Sequence, residues 1–153
     1  MAYQDLQAFI KILEDQHLLR RVGVEVDRRL EITEIADRVM KTEGPAILFE
    51  KVKDSPYPLL INAFGSWERI KLAFELTSLD DVGKRVEELL DMSHYTSWPA
   101  RFAALPGLTP LLRIFPKKVR HGPCQEVIEK DPDLTALPVL HCWPEDGGPF
   151  VTL

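Results

Sequence analysis

The sequence is short of most residues that announce a chemistry. It has two cysteines, Cys124 and Cys142, in 153 residues. That excludes the dense disulfide framework of a small secreted domain and predicts reduced thiols in a cytoplasmic protein. Long apolar runs are missing too, since none approaches the roughly 18 residues of a spanning helix. The opening MAYQDLQAFIKILEDQ carries acids where a signal peptide would be apolar. Cations are outnumbered, with 19 Lys and Arg against 24 Asp and Glu, a net charge of −5. That balance argues against nucleic acid as a partner, because such affinity rests on many cationic contacts. The one basic cluster, Lys117-Lys118-Val119-Arg120-His121, ends an apparent helix and reads as a complement to its dipole. No G-x-x-x-x-G-K or G-x-G-x-x-G pattern surrounds any glycine, so Gly23 and Gly65 say nothing about nucleotides.

What is present is a folded composition, 45% hydrophobic and long enough to bury roughly two-thirds of its unfolded surface. Apolar residues at Leu6, Phe9, Ile10 and Leu13 fall on one face of a helix. Val22, Val24 and Val26 then alternate with Gly23 and Glu25, the period of a half-buried strand. Ile32, Ile35, Ala36, Val39 and Met40 mark a second helix that Gly44-Pro45 ends. AILFEKV (46–52) and LLINAF (59–64) read as strands around a DSPYP turn. Ser66 caps a helix over Trp67 to Leu76, and Ser78 caps another from Leu79 to about Met92, with Asp81 as a capping-box partner. The fold class is therefore α/β (α+β), with a mixed N-terminal domain over 1–92. Four prolines (Pro99, Pro106, Pro110, Pro116) then punctuate short apolar pieces, which predicts a packed helical linker over 93–121. From 122 onward CQEVI, VLHCWP and FVTL read as strands opening a β-rich second domain over 122–153. Two or three strands with long connections do not make a stable sheet alone, so the chain is expected to be a fragment.

Each candidate for chemistry has a plainer explanation beside it. His121, Cys124, His141 and Cys142 are the residue types of a zinc site. Adjacent residues on an extended chain point to opposite faces, however, so His141 and Cys142 do not easily converge on one ion. Either cysteine with a histidine could form a nucleophile pair, but neither sits at a helix N-terminus, and both read as small buried hydrophobes. Glu145 and Asp146, like Asp80 and Asp81, are adjacent acids rather than two carboxylates in different environments facing one reacting atom. Asp146-Gly147-Gly148-Pro149 is a turn sequence first. Trp98 and Trp143, flanked by proline, read as packing anchors between domains. The residues alone do not compose a complete site.

The order of the segments carries more. DLQAFIKILEDQHLLRRVGVEVD, LEITEIADRVMKTEGPAILFEKVK, LLINAFGSWERIKLAF and CQEVIEKDPDLTALPVLHCWPEDGGPFVTL follow one another as they do in the UbiD family of decarboxylases, whose N-terminal part the whole sequence resembles. The resemblance implies reversible, non-oxidative decarboxylation of an aromatic or α,β-unsaturated carboxylic acid. It implies prenylated FMN held with a divalent metal, typically manganese, and with potassium. It implies an N-terminal α/β domain, a split β-barrel that binds flavin and a C-terminal domain used in oligomerisation. The family's Glu-Arg-Glu set, metal-binding asparagine and flavin-contacting segment all lie downstream of the G-P-F-V-T strand, so no position of 1–153 matches a catalytic or metal residue. Thr152 alone, on the strand entering the barrel, is placed near the cofactor. The expected partners are the remainder of the chain, further copies of it and a small carboxylic acid. The CWPEDGGPF and FPKKV wording resembles members acting on quinone precursors, in menaquinone or ubiquinone biosynthesis. The chain alone is expected to be inactive and to bind neither flavin nor metal. The alternative is a self-standing module that binds a partner or a full-length decarboxylase.

Overall fold

The computed structural model describes residues 3–78, 80–91 and 118–151. Along them run α1 (Leu6–Asp15), β1 (Leu19–Val26), α2 (Glu31–Lys41), β2 (Ala46–Val52), β3 (Leu59–Ile61), α3 (Trp67–Phe74) and α4 (Asp80–Asp91). Short 3-10 turns follow at Pro123–Gln125 and Leu134–Ala136. The class is mixed α/β, as the alternation of periods predicts. The described residues of 1–76 and 132–153 make one compact unit, and those of 77–131 make another.

In the first unit β2 lies at the centre of a three-stranded sheet, parallel to β1 and antiparallel to β3. A parallel neighbour needs a crossover, and α2 supplies it. Because β2 is covered on both faces, its run Ala46-Ile47-Leu48-Phe49 is buried throughout rather than alternating. On one face Ile47, Phe49 and Val52 pack with Val26 and with Ile32 of α2. On the other, Ala46 packs with Phe9 and Leu13 of α1, bordered by Leu72 and Ala73 of α3. Phe49 is fully buried, a contribution of about 1.5–3 kcal/mol for one such side chain.

The ends of the elements are set locally. Asp5 caps α1 by accepting from the N–H of Ala8, and Ser66 caps α3 by accepting from Arg69. Helix α2 follows its macrodipole, with Glu31 and Glu34 in its first turn and Arg38 and Lys41 in its last. Its left-handed exit residue is Glu43, not Gly44. Gly44 is needed for close approach instead, because a Cβ there would come within 2.7 Å of Val39 Cγ1.

Three expectations change. Val24 does not share the inner face with Val22 and Val26, because the register shifts between Val22 and Glu25. That bulge turns Val24 out to solvent while Val26 stays buried. The strand expected over 59–64 stops at Ile61, since Asn62 adopts a φ of 58°. Strands expected at CQEVI, VLHCWP and FVTL are not seen among the described residues. Pro123–Gln125 is a 3-10 turn, where Gln125 Oε1 accepts from the N–H of Gly122. His141 makes only a single bridge, with Arg29. Pro138 and Pro144 bracket that stretch and remove the donors a longer ladder requires.

In the second unit α4 begins at Asp80. Asp81 Oδ2 accepts from the N–H groups of Thr77 and Ser78, and Ser78 Oγ accepts from that of Asp80. This is the capping arrangement the sequence predicts. Residues 118–121 of the basic cluster are exposed and irregular. Lys117, Trp98 and residues 93–117 of the expected linker lie outside the described residues.

Candidate functional site

The segment 133–146 is tied back onto the sheet at the turn that leaves β1. Arg28 carries most of this tie. Its Nη1 donates to the carbonyls of Thr135 at 2.9 Å and Leu137 at 2.7 Å. Ser55 Oγ donates to the carbonyl of Ala136 at 2.7 Å. The N–H of His141 donates to the carbonyl of Arg28, and the N–H of Leu30 donates to that of His141, which makes the parallel bridge. A guanidinium suits this role because one of its nitrogens, Nη1, carries two N–H groups, one for each carbonyl.

Carboxylates hold both ends of the tie. Asp27 accepts from the N–H of Arg29 at 2.8 Å and from Lys53 Nζ at 3.0 Å. The backbone bond from Arg29 and then the Lys53 ammonium hold its carboxyl below the usual range, and Asp27 in turn raises Lys53. Asp133 accepts from the hydroxyl and the N–H of Thr135, which lower it in that order.

Between the tie and the following chain lies a cavity of about 490 Å3, walled by Arg28, Leu134, Leu137, Val139, His141 and Val151. The Nε2 of His141 is buried here without a hydrogen-bond partner. Leu134 and Val151 are mostly exposed, so the apolar wall continues onto the surface. This geometry can hold an apolar group beside a histidine. It does not assemble an acid–base pair.

The other sequence candidates separate. His141 lines this cavity, while Cys142 lines a different hollow with Thr33 and Trp143. The opposite facing of neighbours on an extended chain is thus observed. His121 and Cys124 are exposed and belong to the other unit. Among the described residues no three His, Cys, Asp or Glu side chains gather to hold a metal ion. Asp146 Oδ2 accepts from the N–H of Trp143 at 2.9 Å, and Gly148 has a φ of 132°, so Asp146 to Pro149 is a turn. Trp143 is exposed, Asp80 and Asp81 serve the start of α4, and Thr152 lies outside the described residues. Sequence reasoning missed Arg28 and Ser55, because their carbonyl partners are distant along the chain: 107 and 109 positions from Arg28, and 81 from Ser55.

Comparison with known proteins places the chain. The model of the 3-octaprenyl-4-hydroxybenzoate carboxy-lyase N-terminal domain matches residues 10–89, more than half of the chain. The Rift-related domain of the same enzyme matches residues 117–153. The chain belongs to the UbiD family. Vanillic acid decarboxylase of Sedimentibacter hydroxybenzoicus in its closed form is 28% identical with a TM-score of 0.65, over 95% of this chain and 29% of that one. Its open form with truncated ShVdcD is 33% identical with a TM-score of 0.47, over 52% of this chain and 18% of that one. An evolved dimeric form of the UbiD-class enzyme HmfF from Pelotomaculum thermopropionicum, in complex with prFMN, is 27% identical with a TM-score of 0.45, over 48% and 17%. The chain thus spans less than a third of the length of each of these solved relatives. Among the described residues no helix is long and apolar enough to cross a membrane.

Proposed function

We propose that these residues are the N-terminal α/β domain and the approach to the flavin-binding barrel of a carboxy-lyase. Its reaction is non-oxidative decarboxylation of an aromatic or α,β-unsaturated acid, in menaquinone or ubiquinone biosynthesis, in an oligomeric cytoplasmic enzyme. The chain divides on this reading into 1–92, 93–121 and 122–153. The observation that carries it is the succession of the two UbiD domain matches along one chain. The described residues do not offer a metal-ligand cluster, and the one residue placed near the cofactor, Thr152, is not among them. On this reading prenylated FMN, manganese and potassium are held elsewhere in the enzyme, and the 153-residue chain alone is inactive. What this chain contributes is position. Arg28 and Ser55 hold residues 135–137 against the sheet and so fix how the segment that follows α2, β2 and β3 in the sequence returns to it.

A chimera tests this. Residues 1–151 replace the corresponding part of Sedimentibacter hydroxybenzoicus vanillic acid decarboxylase, and CO2 release from vanillic acid is measured. Retained turnover above a tenth of the parent rate is expected, and a folded, flavin-loaded chimera without turnover would overturn the reading. Incubating the 153-residue chain with prenylated FMN and manganese, then desalting, is expected to leave no flavin absorbance. Stoichiometric flavin on that chain would refute its inactivity.

A further inference from the structure

Arg69, on the first turn of α3, is the largest side chain enclosed in the first unit, with 2% of its surface exposed. Its Nε and Nη2 are both buried and have no hydrogen-bond partner. Those two nitrogens form one edge of the guanidinium, the edge whose parallel N–H groups match the two oxygens of a carboxylate. A charged donor edge enclosed without a partner is costly, so the arrangement calls for an acceptor that the described residues do not supply. Glu68 stands near enough to favour the charged form but makes no ion pair with it, while burial pushes the guanidinium below its usual value.

The surroundings describe the missing acceptor. Arg69 lines a cavity of about 720 Å3, a size that suits small ligands. Nη2 faces Gly65, standing 3.0 Å from where a Cβ would be, and Gly65 lines the same cavity. Asn62 Oδ1 fills that wall yet makes no hydrogen bond with the guanidinium, and its Nδ2 is committed to the carbonyls of Gly44 and Pro45. Phe64, Trp67 and Met40 give the cavity an apolar and aromatic wall. Glu43 and Glu68 line it as well, and their charge opposes an anion, a dianion such as phosphate more than a monocarboxylate. Trp67, 66% exposed, is the part of the wall with room to move and admit a ligand.

We propose that this cavity is a binding site for an aromatic monocarboxylate, held by the Nε and Nη2 edge of Arg69 with its ring against Phe64 and Trp67. The site belongs to the α/β domain and does not rest on the decarboxylase reading. It is a small-molecule site separate from the 134–151 cavity.

The probe is benzoate, titrated into the 153-residue chain while the Arg69 Nε–H and Trp67 Nε1–H resonances are followed by NMR. Benzamide, which has the same ring without the charge, and inorganic phosphate are run beside it. A saturable shift at Arg69 Nε–H with benzoate is expected, with benzamide and phosphate each at least about tenfold weaker. Arg69→Lys, which keeps the charge and loses the fork, is expected to weaken benzoate about tenfold or more while the rest of the spectrum stays dispersed. No saturable shift at Arg69 in the wild-type chain overturns the proposal, and that result needs no variant to fold. Equal binding of benzamide would remove the role of the guanidinium. Phosphate binding as tight as benzoate would overturn the ligand class.

Discussion

Replacing Arg28 by alanine should release the 133–141 segment without unfolding the sheet. Hydrogen bonds from a charged donor are worth about 1.5–3 kcal/mol each in general. Arg28 makes two, to the carbonyls of Thr135 and Leu137, but near the surface, where both carbonyls can turn to water when the guanidinium is gone. The net loss is then about 1–2 kcal/mol, and the local opening equilibrium rises about 5- to 30-fold. Ser55 and the backbone bonds of the Arg29–His141 bridge remain, so the segment loosens rather than detaches. Hydrogen exchange reads this directly. The amides of Ala136, Leu137, Val139 and His141 are hydrogen-bonded within the segment or to Arg28, and they should exchange faster by that factor. Amides of Ala46–Val52 should be unchanged. Arg28→Lys keeps a charged donor with more than one N–H, but on a shorter side chain without the planar guanidinium that aims Nη1 at both carbonyls, and should fall between. Wild-type exchange rates at Leu137 and His141 in the alanine variant would refute the role given to Arg28. Equal acceleration in β2 would show that Arg28 supports the whole unit instead.

Phe49→Ala should cost about 3–5 kcal/mol, because a fully enclosed ring leaves a cavity at the centre of the sheet, and denaturant unfolding measures it. Gly44→Ala should destabilise by about 1–3 kcal/mol in the same assay, since its methyl meets Val39 Cγ1 at 2.7 Å and Val39 O at 3.0 Å. Ser66→Ala removes the cap of α3 and should cost about 1 kcal/mol. Acid should loosen the 133–141 tie. Asp27 and Asp133 are both held below the usual carboxyl range, so their contribution is present above the unfolded value of about 3.9 and is lost as pH falls through their lower folded values. Exchange of the His141 amide, corrected for its intrinsic pH dependence, should therefore rise below about pH 4. Asp27→Asn should flatten that rise.

The elements whose residues answer to nearby residues were legible in the sequence, and those whose residues answer to distant ones were not. The apolar spacing of α1, the boundaries of β2 and the caps at Ser66 and Asp81 depend on neighbours within a turn or two, and each stands where the periodicity puts it. Val22, Val24 and Val26 show the limit. Their alternation is real, but one extra residue opposite β2 turns Val24 outward, and a bulge is a property of two strands together. His141 shows the same limit from the other side. Its stretch has a strand's composition, yet its backbone bonds form only one bridge, to the carbonyl of Arg28 and the N–H of Leu30. Composition records that a segment is half-buried; it does not record what covers it. The candidate site follows this rule. The local pattern from Asp146 to Pro149 yields a turn, and it was legible as a turn. Arg69 looks in the sequence like an ordinary polar residue of a short amphipathic helix. Only the packing of α3 beside the Asn62–Gly65 turn encloses its guanidinium, and with it the clearest unsatisfied group in the first unit.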